Sequence, residues 1–346
     1  MKDDTLPLAA VSQSGKLTSE RIVQVGEAFL AAKTLLSAVE LGVFTVLAEG
    51  PLDLENIRLR IGIDPRGVWD FLDALVALGL LERRDGRYSN ARDTDLFLDH
   101  NKATYIGDLL EGLNVRFGIW SALTTALQTG EPQSGPRASG NFPGLYADSS
   151  AREVFVRSMT ARTLPVAKAL AVRFPWHQYE SMVDVGAAEG CLLVEIALAH
   201  PHISGGGFDL PDVRPLFNAY VTQHSLSGRL RFYPGDFFQD PIPAADVLIL
   251  SRVLNNWDLA TKIMLLKKTY DALPAGGTLI VNERLIDDDR RVNGDALLTS
   301  LNMLLVSTGG FNFTGADCVG WMGETGYRNI RVEALTATQS MIVGVK

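Results

Sequence analysis

The chain has 346 residues, 47% of them apolar, and a formal charge of −8 at pH 7. That length exceeds one ordinary core and suits two, while an acidic surface opposes any role that depends on releasing counterions from a phosphate backbone, so nucleic acid is not an expected partner. No uninterrupted apolar run reaches the roughly 18 residues of a membrane span, and no basic segment followed by an apolar one opens the chain; the expectation is a cytoplasmic protein with no membrane partner.

In chain order, residues 1–18 are polar and without period, and are expected to fray. From Glu20 to Leu47 apolar residues recur at three- and four-residue steps, which predicts two helices broken near Gly42. Asp53 is placed to cap a third helix and Asp64-Pro65 opens a fourth. The stretch Leu81 to Ser89 reads as a hairpin around Asp85-Gly86. Three successive helices running into a hairpin, as the last three of these do, make a winged-helix pattern, placed at residues 19–105. Its would-be recognition helix carries Trp69, Asp70, Phe71, Leu72, Asp73, Ala74, Leu75 and Val76, which offers apolar bulk and two carboxylates where DNA needs basic groups. Apolar surface of that kind predicts a homodimer through this domain. Residues 106–178 are expected to be a helical connector, with a polar loop from Thr129 to Asn141 and a helix from Ala151 to Val172 that forms a lid.

From residue 179 to 346 strand and helix patterns alternate, which predicts a Rossmann-like α/β domain with a mostly parallel sheet. Strands are expected at Met182–Gly186, Gly206–Leu210, Leu230–Pro234, Asp246–Ser251, Thr278–Arg284, Ile330–Leu335 and Ser340–Val345. The last two are too close for a crossover and must pair antiparallel. Cys191 and Cys318 fall inside apolar amphipathic patterns, where a buried thiol is the ordinary outcome.

The ligand of such a sheet lies at the carboxyl ends of its strands. Asp184-Val185-Gly186-Ala187-Ala188-Glu189-Gly190 ends the first strand in a turn whose glycines admit a ligand closely, and Asp209 closes the second strand, where a carboxylate can accept both ribose hydroxyls. That much fits a nicotinamide cofactor equally. Two features favour S-adenosylmethionine. Ala188 occupies the glycine position a pyrophosphate needs, with Glu189 beside it, and Gly235-Asp236-Phe237-Phe238 ends the third strand with a carboxylate for the adenine amine and a ring for its face.

With Phe208-Asp209-Leu210-Pro211, Gly235-Asp236-Phe237-Phe238, Leu273-Pro274-Ala275-Gly276-Gly277 and the tail Ser340 to Lys346, the sequence resembles the small-molecule O-methyltransferase family over about residues 20–346. The resemblance implies a class I S-adenosylmethionine domain behind a winged-helix dimerisation domain. It implies a cofactor site of Asp184, Gly186, Gly190, Asp209, Leu210, Gly235, Asp236, Phe237, Ser251 and Arg252. Family members that methylate hydroxyls carry His-Asp-Trp after the fourth strand, the histidine acting as base; this chain has Asn255-Asn256-Trp257. An amide cannot accept a proton near neutral pH. None of the five histidines falls at a strand end. Of two acidic residues that assist the family histidine, one matches Glu283 and the other is replaced by Asn312. Asn255, Glu283 and Asn312 are therefore the expected catalytic set, and Phe155, Met159, Trp257, Asn302, Met303 and Phe311 the expected substrate pocket. No metal-ligand spacing appears.

A sulfonium is already a strong electrophile, so transfer needs mainly in-line placement, and a base matters only for a neutral hydroxyl. The leading expectation is thus C- or N-methylation of a small aromatic molecule by orientation. The alternatives are O-methylation of an acidic phenol or carboxylate with Glu283 as base, and a cofactor-binding protein that does not methylate.

Overall fold

The computed structural model describes residues 17–135 and 142–346. The fraying expected of residues 1–16, and the part of the polar loop at 136–141, lie outside the described residues. The described residues form two compact units, divided between Phe117 and Gly118.

The first unit contains α1 (Glu20–Glu40), α2 (Val43–Leu47), β1 (Leu52–Asp53), α3 (Leu54–Ile61), α4 (Pro65–Ala77), β2 (Leu81–Arg84), β3 (Arg87–Asn90), α5 (Arg92–Leu98) and the start of α6 (Gly107–Trp120). The break between α1 and α2 falls at Gly42, whose φ of 71° is left-handed. Asp53 and Asp64 cap α3 and α4 by accepting the N–H groups of Asn56 and Arg66. Asp85 and Gly86, at φ 50° and 74°, make the two-residue turn between β2 and β3. Val68, Leu72 and Leu75 of α4 point into a core with Phe44, Leu47, Ile57 and Leu81. On the next face Asp73 accepts hydrogen bonds from Tyr88 (2.8 Å), Arg83 (2.6 Å) and Trp69 (3.0 Å), which ties α4 to the hairpin. In α1 the pattern is reversed. Ile22, Val23, Val25, Phe29 and Leu30 are exposed, in a helix whose length and composition would suffice to cross a membrane.

The second unit begins with the end of α6, α7 (Leu123–Thr129), α8 (Phe142–Ala147) and α9 (Ser149–Arg173), and then alternates: β4 (Ser181–Val185), α10 (Cys191–Ala199), β5 (Ser204–Asp209), α11 (Arg214–Gln223), β6 (Leu230–Pro234), β7 (Val247–Ser251), α12 (Leu259–Ala272), β8 (Thr278–Glu283), α13 (Gly294–Val306), α14 (Gly315–Thr325), β9 (Arg328–Ala334) and β10 (Ser340–Val345). The seven strands lie in the order β6-β5-β4-β7-β8-β10-β9, parallel except for β10, which runs antiparallel to both neighbours as its short connection requires. Period-two side chains divide the interior between the sheet's faces. Val247, Ile249 and Ile280 join Leu170, Leu193, Ile196 and Phe217 on one; Leu248, Leu250 and Val281 join Leu265, Leu266 and Met322 on the other.

Phe217 of α11 braces the first crossover. Its ring stands where a Cβ on Gly190 or on Gly207 would come within 2.6 Å, so both positions need glycine for the ring to lie flat beneath the turn. Phe217→Ala is expected to cost about 3–5 kcal/mol, seen as a lower urea midpoint at unchanged slope. An unchanged midpoint would remove Phe217 from the core.

Candidate functional site

Strand register assembles the site. Asp209 pairs with Pro234, Val185 with Phe208, and Ser251 with Asn282, so Gly235, Asp209, Gly186, Ser251 and Glu283 end at one level along the carboxyl edge of the parallel strands. After β4 the backbone turns through Gly186 (φ 83°), Ala188 (φ 49°) and Gly190 (φ 86°), so an alanine holds a left-handed conformation in this turn. Asp209 is fixed at both oxygens, one accepting the Ala188 N–H at 2.8 Å and the other the Leu210 N–H at 2.7 Å. Burial pushes Asp209 up to about 6 against those bonds. Asp184, buried at the end of β4, is pushed up to about 8 by burial and by the charge of Asp209, and its Oδ1 has no hydrogen-bond partner among the described residues. Arg252, at φ 58° just after β7, has a sealed and equally unpartnered Nε.

Two carboxylates held above their ordinary range and one guanidinium nitrogen without an acceptor suit a ligand with both charges and a positive excess. S-adenosylmethionine carries a sulfonium, an ammonium and one carboxylate; a dinucleotide would set its pyrophosphate beside the same carboxylates. Asp236 presents its Oδ1 to the Phe238 N–H at 2.9 Å, which makes it the cap of its turn. The Phe237 ring packs edge-on to Trp257 at 5.6 Å between centroids. Ser251 accepts from Asn282 at 2.9 Å. Tyr146 of α8, not singled out from sequence, is buried and electrostatically coupled to Asp209; burial raises its phenol.

Beyond β8 the second half of the site is polar and dry. Glu283 is 2% exposed and accepts the Asn255 N–H at 3.2 Å. Burial drives it up to about 7 although the Asn255 and Leu254 N–H groups, Arg252 and Lys262 all favour its charged form. Arg284 pairs with Asp295 instead. Asn255 and Asn312 are buried, each with a side-chain oxygen lacking a partner; the Asn312 amide nitrogen donates to the Arg284 carbonyl at 3.0 Å, and that of Asn255 faces Met303 Sδ at 3.7 Å. Buried polar atoms without partners are rare in native interiors and call for a water or a ligand to complete the bonding.

The aromatic residues fall into separate groups. Phe155 packs with Phe142 and Tyr146, and Phe142 reaches Trp257 at 6.1 Å. Met159 lies one turn further along α9, half-buried. Asn302 is committed to Trp120, from whose Nε1 it accepts at 3.1 Å, so Met303 rather than Asn302 faces the Asn255 amide. Phe311 covers Lys262. The histidines hold structure: His200 and His202 bond the carbonyls of Ala171 and Trp176, and His224 packs on Tyr220. Among the described residues no group of three or more His, Cys, Asp or Glu side chains is arranged to hold a metal.

A seven-stranded sheet with an antiparallel terminal hairpin, and two buried carboxylates at the carboxyl edge of its parallel strands, are the arrangement of a class I S-adenosylmethionine-dependent methyltransferase. Residues 120–328 match the family model for the O-methyltransferase domain and residues 23–100 that for the O-methyltransferase dimerisation domain. The chain is 41% identical over 327 residues to the tetracenomycin polyketide synthesis 8-O-methyl transferase TcmO of Streptomyces glaucescens, covering 94% of this chain and 96% of that protein. It is 40% identical over 287 residues to the N,N-dimethyltransferase OxyT of Streptomyces rimosus, covering 82% of each. Human N-acetylserotonin methyltransferase, solved in complex with S-adenosylmethionine, superposes at a TM-score of 0.88 with 28% identity, over 96% of this chain and 99% of that one. The chain belongs to the O-methyltransferase family, and S-adenosylmethionine is its cofactor.

With Asp209 at the ribose position expected from the sequence, Asp209→Ala would remove two charge-assisted hydrogen bonds and is expected to weaken S-adenosylhomocysteine at least about 100-fold in a calorimetric titration. Undiminished affinity would place the ribose elsewhere.

Proposed function

We propose that this enzyme methylates a phenolic hydroxyl of a small aromatic natural product, with Glu283 as the base. The observation that carries the reading is the position of Glu283, 2% exposed at the end of β8, hydrogen-bonded to the Asn255 N–H in the half of the site that holds the unpartnered Asn255 and Asn312 oxygens. Burial lifts that carboxyl to about 7, into the range where a carboxylate can take a proton from a phenol. The loss of His at position 255 therefore leaves a base in the site. This reverses the order of the two leading expectations, and the 8-O-methyl transferase at 41% identity supports the reversal. Transfer to nitrogen stays as the second reading, on the N,N-dimethyltransferase at 40% identity.

The cofactor, when bound, supplies a methyl group on a sulfonium that leaves as a neutral thioether. Within the reading, Asp209 holds the ribose hydroxyls beside Leu210, Arg252 the α-carboxylate and Asp184 the α-ammonium. Gly186 and Gly190 let the backbone approach, Ser251 lines the wall, and Gly235, Asp236 and Phe237 take the adenine. Glu283 receives the phenol proton as the oxygen forms its bond to carbon. The free oxygens of Asn255 and Asn312 accept from neighbouring donors on the substrate and fix the attacking oxygen in line. Phe155, Met159, Trp257, Met303 and Phe311, with Asn302 behind Met303, give the ring an apolar surround. The two reduced, buried thiols, Cys191 and Cys318, fit a cytoplasmic setting.

Glu283→Gln keeps the shape and removes the proton acceptor. The expectation with a hydroxylated naphthalene or anthraquinone is a kcat lower by about 100- to 10,000-fold, unchanged S-adenosylhomocysteine binding, and, in the wild type, a rate rising with pH through about 7. Label from a methyl-labelled cofactor on an arylamine nitrogen, with Glu283→Gln fully active, would favour the second reading.

The same proposal includes a homodimer through the first unit, since the dimerisation match covers Val23, Val25, Phe29 and Leu30 among the exposed apolar side chains of α1. Phe29→Asp places a charge in that surface and is expected to give monomers by light scattering. A dimer that persists at micromolar concentration would move the interface away from α1.

A further inference from the structure

α12 runs on from the turn that carries Asn255, and its inward stripe is Lys262, Leu265, Leu266 and Thr269. A lysine thus takes the first place on a buried face, with no exposed surface at all. Its ammonium donates to the Trp257 carbonyl, lies 3.4 Å from the centre of the Phe311 ring and 5.7 Å from that of Phe313. One carbonyl and two ring faces satisfy part of that charge, and a buried ammonium still calls for an anion. Two carboxylates favour its charged form through space, Glu283 and Asp258, and among the described residues neither makes a direct ion pair with it. Asp258 is exposed and already caps α12 through the Thr261 N–H at 2.8 Å; Glu283 is buried. The lysine also touches both segments that carry the site's amides. Trp257 closes the turn of Asn255, and Phe311 precedes Asn312. These segments meet backbone to backbone, since a Cβ on Gly310 would come within 2.7 Å of the carbonyl oxygens of Asn255 and Asn256.

We propose that Lys262 is the positioning cation of this methyl transfer, clamping the Asn255 turn to the Asn312 loop and serving as the buried counter-ion that keeps Glu283 ionised between turnovers. The inference rests on Glu283 as the base. The other charged or titratable groups around the pair are Arg252 after β7, Arg284 beside Glu283, Asp258 at the cap, and Cys318 and Asp317 on α14. Burial holds Lys262 down to about 8 and Glu283 up to about 7, each opposed by the other's charge. Removing one charge therefore moves the other group further from its ordinary value: Glu283 rises without Lys262, and Lys262 falls without Glu283.

The test is the pH dependence of kcat/KM, with a hydroxynaphthalene as acceptor, for wild type, Lys262→Met, Lys262→Arg and Glu283→Gln. In Lys262→Met the acid limb is expected to move up by about one pH unit, a loss of about tenfold below pH 7, with KM for S-adenosylmethionine unchanged; Lys262→Arg is expected to keep the limb near its original place. A Lys262→Met limb that stays put overturns the proposal. Should Lys262→Met not fold, protein labelled with ¹³C at lysine Cε answers the same question without it, because the Lys262 resonance should titrate lower in Glu283→Gln than in wild type. An unmoved Lys262 titration, with turnover lost in Glu283→Gln, overturns the lysine alone. Full turnover in Glu283→Gln overturns the base and the lysine's role together.

Discussion

Parallel pairing brings Pro234, Asp209, Gly186, Ser251 and Glu283 to one level, because each connection, a helix everywhere except between β6 and β7, returns the chain to start again from the same side. What happens at that edge follows from what it lacks. Past the last ladder bond the backbone must turn, and at Ala188 and Arg252 it does so with non-glycine residues held at positive φ, an arrangement that persists only where packing on every side fixes it. Phe217 below one turn and the ladder bond from Arg252 to the Asn282 carbonyl below the other supply that packing. Binding geometry at the edge is thus set by the two buried faces of the sheet.

The same burial sets the electrostatics, and it does so differently in the two halves of the crevice. Asp184 and Asp209 have backbone donors or nothing for company, so desolvation dominates and both sit above their ordinary range. A ligand with excess positive charge relieves that cost, and selection for a cationic cofactor follows from the emptiness of the surroundings as much as from any direct contact. Around Glu283 the balance is closer. Two backbone N–H groups, Arg252 and Lys262 pull its pKa down while burial pulls it up, and the result is a carboxyl that exchanges its proton near neutrality.

The cofactor half was legible in the sequence because its signals are local. A strand, a turn rich in small residues and a carboxylate at the end of the next strand are all read within about 30 residues, and the terminal hairpin follows from connection length alone. The chemical half was legible only as a set of residue types. Asn255, Glu283 and Asn312 could be named, but whether Glu283 is a base depends on its burial in the tertiary structure, which no local window contains. Ranking carbon or nitrogen above oxygen followed from a missing histidine and could not weigh a carboxyl whose pKa is set by tertiary structure. Lys262 had a visible signal: it sits three and four residues before Leu265 and Leu266 on one helical face, where a charge is out of place. Asn302 shows the opposite failure. It shares the pocket-facing helix with Met303, yet its side chain is held by Trp120, 182 residues away in sequence.

A carboxylate base and an imidazole base of equal proton affinity are still different instruments. Imidazole starts neutral and becomes a cation beside the new phenolate, so the transfer creates a charge pair; a carboxylate starts charged and becomes neutral, so the transfer moves one negative charge to the substrate oxygen. In a dry crevice the second course separates no new charges, and the anion arrives next to a cationic methyl donor. Its cost falls earlier, in keeping an unprotonated carboxylate buried before substrate binds. A cationic cofactor would lower that cost during turnover, while Arg252 and Lys262 favour the charged carboxylate whether or not the cofactor is bound.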